Sequence, residues 1–469
     1  METNYKELGL KIGLEIHQQI CSKKLFCKCS TQFKEKDLGI EFTRKLRASA
    51  GELGYIDVAA EFEQSRDREF VYHGYKDEYC LVDCDESPPY KINQDALMTA
   101  LSVAKLFKLN IPDEIIVMRK VIADGSACSS FQRTALIGTE TKDSFIETSL
   151  GKVRITSLCL EEDACKIEKI EGNKVYYSLS RQSIPLLEIR TEPDIKTPEH
   201  AKETAEKIGM ILRSFDNVLR GIGTIRQDVN LSIKNGARIE IKGFQELRVM
   251  PKIIENEIHR QLKLLKESKK INPEVRRADD DGITTFLRPL PGASRMYPDT
   301  DLISIKTKDL IKNIKIPKLI HEKVDELKKK YNLSNELANE LIKKKIDFNN
   351  YSNRYKNISK SLLADLLVKY NKENNLEKAL DLLNSEKITK EIFDNAIKGN
   401  VDLGRKANLN EIENEVKKII MENKNLTANA IMGILMKKYK GKIQGSKLIE
   451  IINKNKKFIL WRNIFQKIL

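Results

Sequence analysis

The sequence contains no apolar segment near the roughly 20 residues that a membrane-spanning helix requires. Its first residues, Met1 to Glu7, lack the hydrophobic core of a secretory signal. Eight cysteines among 469 residues are too few for a disulfide-stabilised scaffold. These absences predict a cytoplasmic protein that does not associate with membranes, and whose thiols stay reduced or bind metal.

Common catalytic signatures are also absent from the sequence. There is no Gly-x4-Gly-Lys-Ser/Thr loop, no Gly-x-Gly-x-x-Gly turn and no glycine-flanked serine of an acyl-transfer enzyme. No local signature supports a Cys-His glutaminase. Nucleotide chemistry would therefore need another arrangement of residues, and the chain has no recognisable amidohydrolase site of its own.

The most informative segment that is present is residues 8–17. Its apolar residues alternate strictly with other residues, which is the pattern of a β-strand with one buried face. The opposite face would carry Lys11, Glu15 and His17. A carboxylate and an imidazole on one strand face could begin a metal or acid-base site. The alternative is an ordinary antiparallel strand whose polar face meets water.

The same pattern recurs in three later segments, and this favours a site over simple solvation. Segments 186–191, 226–233 and 238–242 each alternate apolar residues with charged or amide residues. Asp228 and Asn230 are especially informative because Asp and Asn are rare inside strands. The polar faces of these segments carry Glu188, Arg190, Arg226, Asp228, Asn230, Ser232, Arg238, Glu240 and Lys242. Together they predict a polar, concave sheet that holds a charged ligand.

Two further segments are compatible with phosphate and cation binding. Glu161, Glu162 and Asp163 follow a predicted strand, and three consecutive acids repel one another unless a cation or a base lies among them. An exposed acidic turn is the alternative. Segment 124–133 combines small residues and hydroxyls with Arg133, so its backbone and Ser126 could approach phosphate oxygens.

Four cysteines form two close pairs about fifty residues apart, namely Cys27 with Cys29 and Cys80 with Cys84. Four thiolates can bind Zn²⁺ tetrahedrally. The second spacing is one residue wider than the usual Cys-x-x-Cys, so buried thiols that only pack remain the alternative.

The length and the change in composition predict several domains. Residues 1–300 mix strand and helix patterns, which indicates an α+β domain built on a largely antiparallel sheet. Residues 301–400 and 401–469 are rich in Lys and Asn and have helical periodicity, so we expect two all-α domains. Residues 401–469 contain 15 Lys and Arg but only 6 Asp and Glu, in a chain whose net charge is +15. This asymmetry favours binding to a polyanion such as nucleic acid, although a Lys-rich proteome would also produce it.

Several of these segments together resemble the B/E family of glutamyl-tRNA(Gln) amidotransferase subunits. The resemblance is carried by residues 9–19, 25–29, 160–164, 184–189 and 223–230. Segment 288–297, Arg-Pro-Leu-Pro-Gly-Ala-Ser-Arg-Met-Tyr, is closer to the archaeal E-type member than to the bacterial B-type member. The resemblance spans nearly the whole chain and implies a cradle-like catalytic domain followed by helical and tail domains.

The resemblance also implies a reaction. ATP would phosphorylate the side-chain carboxyl of Glu-tRNA(Gln), and ammonia would then displace phosphate to give Gln-tRNA(Gln). An asparaginase-like glutaminase subunit of the D type would supply the ammonia within a heterotetramer. Mg²⁺ would clamp the transferring phosphoryl group. The alternatives are a tRNA-binding scaffold without catalysis, and a B-type subunit that works with an amidase-family partner.

The family's motifs assign roles to residues of this sequence. The implied magnesium ligands are Glu15, His17, Glu162 and Glu240, with Glu188 and Asp228 on the same face. The residues implied to act on ATP or substrate charge are Lys242, Ser126, Arg133, Arg190 and Arg226. The implied tRNA phosphate contacts are Lys437, Lys438, Lys440, Lys442 and Lys447. One departure is that the synthetase-like insertion usual before the Arg288 segment is missing here, which puts any tRNA contact that it makes in doubt.

Overall fold

The segment predicted as a strand over residues 8–17 lies at the centre of a large sheet. The computed structural model describes residues 4–465 except positions 33, 52, 245, 280, 293–295, 400–408, 423–425 and 440–444, and only the backbone of 391, 446 and 457–465. The chain divides into two compact units, residues 1–318 and 319–469. The first unit therefore extends 18 residues beyond the predicted boundary at residue 300.

The described strands belong to the first unit. In chain order they are β1 (Lys11–Gln19), β2 (Leu38–Arg44), β3 (Glu69–Tyr75), β4 (Glu114–Ile115), β5 (Val117–Val121), β6 (Phe131–Thr139), β7 (Phe145–Thr148), β8 (Gly151–Glu162), β9 (Lys166–Glu171), β10 (Lys174–Ser178), β11 (Pro185–Thr191), β12 (Ile225–Ser232), β13 (Ile239–Lys242), β14 (Glu274–Ala278), β15 (Thr284–Pro289), β16 (Met296–Pro298) and β17 (Ile305–Lys306).

Eleven of these strands form one sheet in the order β15-β14-β13-β12-β1-β11-β8-β6-β5-β16, with β7 paired to β8. Its pairs are antiparallel except for β13 and β14, which run parallel. A second sheet has the order β2-β3-β10-β9, and β17 pairs with β4. The prediction of a largely antiparallel sheet is confirmed.

Four helices accompany the strands in the first unit before residue 300, and a fifth follows the last strand. They are α1 (Val58–Ser65), α2 (Gln94–Leu106), α3 (Pro198–Leu212), α4 (Met250–Lys266) and α5 (Lys308–Lys312). Asn93 caps α2 by accepting a hydrogen bond from the Ala96 amide, and Thr197 caps α3 in the same way. Helices α2, α3 and α4 bury their apolar faces in the same core as the alternating residues Ile12, Leu14 and Ile16 of β1.

This one-sided burial follows from the sequence pattern. Because side chains alternate along a strand, burying the apolar residues of β1 turns Glu15 and His17 to the opposite face. Helices cover one face of the sheet, so the polar residues gather on the other. The fold thus places the charged residues of several distant segments on a single surface.

The described part of the second unit is built from helices. They are α6 (Ile320–Tyr331), α7 (Asn335–Lys343), α8 (Phe348–Arg354), α9 (Lys360–Tyr370), α10 (Leu376–Asn384), α11 (Phe393–Ile397), α12 (Leu409–Glu422), α13 (Ala428–Tyr439) and α14 (Gly445–Phe465). Helices α6 to α11 share one apolar core, and α12 to α14 share another. The α+β prediction, with a sheet-rich N-terminal part and a helical C-terminal part, is confirmed.

Three further features bear on the sequence predictions. Among the described residues, no helix combines the length and apolarity needed to cross a bilayer. Strands β14 and β15 are joined by a short turn in which the Asp279 amide donates to the carbonyl of Ile283. The predicted linker at residues 399–408 lies outside the described residues except for Gly399.

Candidate active site on the polar face of the sheet

The polar face of the large sheet encloses a hollow of about 1070 Å³. Strand register brings its residues together, because Glu15 of β1 pairs with Arg190 of β11 on one side and with Asp228 of β12 on the other. His17 pairs in the same way with Glu188 and Arg226. The hollow is therefore built by cross-strand neighbours from segments that lie far apart in sequence, such as Glu15 and Asn230, which are 215 positions apart.

The first acidic group consists of Glu15, His17 and Glu188. Their ligand atoms all lie within 4.8 Å of one another. Nε2 of His17 lies 3.4 Å from Oε2 of Glu188. Nη2 of Arg190 lies 2.6 Å from Oε1 of Glu188, but this buried oxygen accepts no hydrogen bond of good geometry from the described residues. Such an oxygen beside an imidazole suits a bound cation.

A second acidic group shares Glu15 and adds Asp228 and Glu240, again within 4.8 Å. Lys242 lies among them, with Nζ 2.5 Å from Oδ2 of Asp228 and 2.5 Å from Oε1 of Glu240. Asn230 donates from Nδ2 to Oε1 of Glu15 at 3.4 Å. Lys242 thus supplies the positive charge that lets these carboxylates stay close together.

Burial and neighbouring charges shift the pKa values of this face in opposite directions. Burial, together with the charge of Glu188, raises the pKa of Glu15. Although burial alone would raise the pKa of Glu188, the charge of Lys120 and the hydrogen bond from His17 hold it well below its usual value. The pKa of His17 is raised by Glu188 despite burial. Divergent values in one hollow are typical of catalytic sites.

Two residues of the hollow were missed by the sequence analysis, Glu161 as a member of this face and Lys120 altogether. Nζ of Lys120 lies 2.8 Å from Oε1 of Glu161 and 3.8 Å from Oε2 of Glu188. Thr134 donates from Oγ1 to Oε1 of Glu161 at 2.7 Å. Burial and the charge of Glu188 raise the pKa of Glu161. Strand alternation from Cys159 would have assigned Glu161 to this face, whereas nothing in the segment of Lys120 marks it.

Glu162 does not join the other predicted metal ligands. It follows Glu161 in β8, so its side chain points to the opposite face of the sheet. Its carboxylate accepts hydrogen bonds from the backbone amide of Arg133 at 2.9 Å and from Ser183 Oγ at 2.7 Å. The expected convergence of Glu15, His17, Glu162 and Glu240 is therefore wrong for Glu162, and Glu161 occupies the place expected for it.

The four residues predicted to bind nucleotide divide into two groups. Arg190, Arg226 and Ser126 line the hollow. Nη2 of Arg226 lies 2.7 Å from Oδ1 of Asp163, and Ser126 donates from Oγ to Asp124 at 2.6 Å. The Arg133 side chain is directed away from the hollow, where Nε donates to Oδ2 of Asp299 at 2.8 Å. Arg133 is thus not placed to contact a ligand in the hollow.

The structure brings together three of the four cysteines proposed for zinc, Cys27, Cys29 and Cys80. The fourth member of their cluster is Asp83, and the four ligand atoms lie within 4.8 Å of one another. Cys84 is instead buried in an aromatic core that includes Tyr72 and Tyr177. The predicted Cys84 ligand is therefore wrong in position, because the turn after Cys80 directs the side chain of Asp83 to the thiols.

The cysteine cluster also contains a buried base. Lys24 is fully buried, and its Nζ lies 3.1 Å from Oδ2 of Asp83 and donates to the carbonyl of Leu179 at 2.9 Å. Hydrogen bonding from the Cys27 and Cys29 thiols lowers the pKa of Cys80. A donor set of three sulfurs and one carboxylate fits a tetrahedral zinc ion, and Lys24 would offset part of its negative charge.

Three of the five tail lysines are among the described residues. Lys437, Lys438 and Lys447 are exposed. Lys438 forms an ion pair of 2.7 Å with Glu415 of α12. Lys440 and Lys442 lie outside the described residues.

Comparison with known proteins identifies the family. A family model described as the GatB/GatE catalytic domain matches residues 10–313. The chain belongs to the GatB/GatE family. The match covers β1 through α5, so it contains the whole hollow and the cysteine cluster.

The relatives that the chain resembles are archaeal proteins, each named as the E-type subunit of glutamyl-tRNA(Gln) amidotransferase. The one from Methanococcus vannielii is 52% identical over 267 residues, 56% of this chain and 41% of the relative. The one from Methanosarcina barkeri is 53% identical over 265 residues, again 56% of this chain and 41% of the relative. The one from Methanocaldococcus jannaschii is 37% identical over 477 residues, 72% of this chain and 75% of the relative.

The coverage is informative about length. In the first of these matches the chain spans less than half of the relative. The alignment to the Methanocaldococcus jannaschii relative is longer than this 469-residue chain, so that relative has residues without a counterpart here. This agrees with an insertion that is missing from the chain, as the sequence predicted.

Proposed function

We propose that this chain is the subunit of a glutamyl-tRNA(Gln) amidotransferase that activates and amidates the glutamyl side chain of Glu-tRNA(Gln). The observation that carries the proposal is the hollow on the polar face of the sheet, in which acids and bases from neighbouring strands lie side by side. The family to which the chain belongs supports the same reaction class.

The proposed chemistry has two steps. The γ-carboxylate of the glutamyl group attacks the γ-phosphorus of ATP, which forms an acyl phosphate and releases ADP. Ammonia then attacks the acyl carbon, phosphate leaves, and the new amide loses a proton to a base. Glu161 is a suitable proton acceptor because its pKa is raised and its carboxylate faces the hollow.

The positive side chains of the hollow suit the phosphoryl group. Lys120, Arg190 and Lys242 lie among the acids at distances of 2.5 to 3.8 Å. When a phosphate enters, these side chains can exchange a carboxylate partner for a phosphate oxygen without leaving the hollow. Arg226 lines the same hollow and is held by Asp163, so it can orient the incoming substrate.

The acidic groups fit a divalent metal ion. Glu15, His17 and Glu188 would hold one Mg²⁺, and Asp228 and Glu240 lie close enough to Glu15 to hold a second. Magnesium prefers one or two carboxylates together with phosphate oxygens, and it would neutralise charge that develops on the phosphoryl group. Glu162 faces away from both groups and is not among these ligands.

The substrate and the partner follow from the reaction. Ammonia must come from a second protein, and an asparaginase-like subunit of the D type, in a heterotetramer, is the partner that we propose. The basic segment 401–469 would bind the tRNA body through phosphate contacts. An aminoacyl-tRNA substrate places the reaction in the cytoplasm, and zinc at the cysteine cluster would stabilise the second sheet.

An assay that needs no partner tests the proposal. The purified protein is incubated with Glu-tRNA(Gln), ATP, Mg²⁺ and an ammonium salt, and ADP and Gln-tRNA(Gln) are measured. Wild type should form both products, and Glu188→Gln should form neither at a comparable rate. Glu41→Gln is a matched control, since Glu41 is an exposed acid of the second sheet. Binding of tRNA without either product would indicate a non-catalytic scaffold instead.

A further inference from the structure

A fully exposed isoleucine stands at the rim of the hollow. Ile222 lies in the turn between α3 and β12, and its side chain is as accessible as in an extended peptide, at 103%. It nevertheless lines the hollow together with Gly223 and Arg226. An apolar side chain in this position contributes nothing to the core, so its presentation to solvent calls for another explanation.

The backbone of this turn is shaped to present the side chain. Gly221 and Gly223 have φ angles of 125° and 79°, which favour glycine, and a Cβ at either position would meet no atom within 4 Å. The tip therefore projects into open space. Both flanking residues could be larger for steric reasons alone, so conformation rather than crowding requires the two glycines.

The base of the turn is held firmly by β1. Gln18 is buried, and its Nε2 donates to the carbonyls of Leu219 and Thr224 at 2.9 and 3.2 Å. The Thr224 carbonyl also accepts a hydrogen bond from the Gln19 amide at 2.9 Å. One side chain thus ties both arms of the turn, which keeps Ile222 at a fixed place on the rim.

The charges beside the tip indicate the kind of ligand. Arg220 precedes the tip and is exposed, and Arg226 follows it inside the hollow. A ligand that offers a flat apolar surface between phosphate groups matches an exposed aliphatic side chain between two guanidinium groups. A nucleotide within a strand has this chemistry, because its base is flanked by phosphodiesters.

The position on the rim distinguishes the two nucleotides of the proposed reaction. ATP is small enough to lie wholly within the hollow, whereas a tRNA body is far larger than 1070 Å³ and only its 3′ end can enter. Whatever crosses the rim must pass the tip. We propose that Ile222 packs against the base of the 3′-terminal nucleotide of Glu-tRNA(Gln) and positions the aminoacyl ester, an inference that rests on the proposed function.

Binding to two forms of the tRNA tests this inference. Equilibrium affinity is measured for intact tRNA(Gln) and for the same tRNA without its terminal adenosine, using wild type and Ile222→Ser. The variant should bind intact tRNA about tenfold more weakly, equivalent to about 1.4 kcal/mol, and should bind the truncated tRNA as wild type does. Ile222→Leu should restore most of the affinity, and Ile167→Ser, at an exposed isoleucine of β9, serves as control.

The kinetic consequence is equally specific. With ammonium as nitrogen donor, Ile222→Ser should raise the KM for Glu-tRNA(Gln) and leave the KM for ATP unchanged. Equal affinity of variant and wild type for intact tRNA would overturn the inference, and a raised KM for ATP alone would show that ATP is the occupant. Failure of wild type to form Gln-tRNA(Gln) would refute the proposed function, while the binding comparison would still decide the role of Ile222.

Discussion

Glu161 and Glu162 are adjacent acids that the strand directs to opposite faces, and isosteric substitutions separate their roles. Glu161→Gln removes a carboxylate that faces the hollow and accepts from Lys120 and Thr134. If it accepts the proton released during amide formation, kcat should fall by roughly 10² to 10⁴, the range for general bases. A hundredfold loss corresponds to about 2.7 kcal/mol in the activation barrier.

Glu162→Gln should have the opposite profile. The carboxylate of Glu162 accepts from the Arg133 amide and from Ser183, and an amide NH₂ cannot accept at one of these positions. A buried donor that loses its acceptor costs about 1–3 kcal/mol of stability. We expect a lower Tm and nearly normal amide formation in the folded variant.

The assay is the ammonium-dependent reaction with Glu-tRNA(Gln), ATP and Mg²⁺, combined with thermal unfolding of each variant. The account requires that Glu161→Gln lose activity at wild-type stability while Glu162→Gln lose stability at wild-type activity. The reverse pattern would mean that the orientation of β8 does not decide which acid takes part in the chemistry.

The remaining predictions concern three other regions. Elemental analysis should find one zinc ion per chain, which Cys80→Ser removes and Cys84→Ser retains; zinc in neither wild type nor Cys84→Ser would leave the thiols as packing. Deletion of residues 401–469 should weaken tRNA affinity and flatten its dependence on salt concentration, and an unchanged slope would exclude this segment as the phosphate contact. Asp299→Asn should lower stability by about 3–5 kcal/mol, because it leaves Arg119 and Arg133 around a neutral group. The pKa of Asp299 is lowered by Arg119 despite burial, so its contribution exists above the unfolded pKa near about 4 and disappears as pH falls through the folded value. Chemical unfolding between about pH 7 and pH 3 should therefore show a weaker pH dependence in the variant.

Strand alternation explains why much of the hollow could be predicted from the sequence. Glu15, His17, Glu188 and Asp228 each occur in a segment with period two, so their common face follows from burial of the apolar residues. Asp228 also stands out because its residue type is rare in strands. That these segments are neighbours in one sheet was implied by the family resemblance rather than by the pattern.

The missed residues share a physical cause. The sequence does not state where a strand ends, so three consecutive acids are as compatible with a turn as with two strand residues of opposite orientation. Lys120 lies in a strand whose pattern is ambiguous, and its function depends on pairing with residues distant in sequence. Asp83 replaces Cys84 because side-chain direction in a tight turn is set by backbone geometry that spacing alone does not reveal.

The central claim is that the first acidic group holds a divalent ion. Crystals of the protein grown with Mn²⁺ and a non-hydrolysable ATP analogue would test it by anomalous scattering. The account predicts a manganese peak within coordination distance of Glu15, His17 and Glu188. A hollow that contains the nucleotide but no manganese, with Glu188 still paired to Arg190 and Lys120, would contradict it.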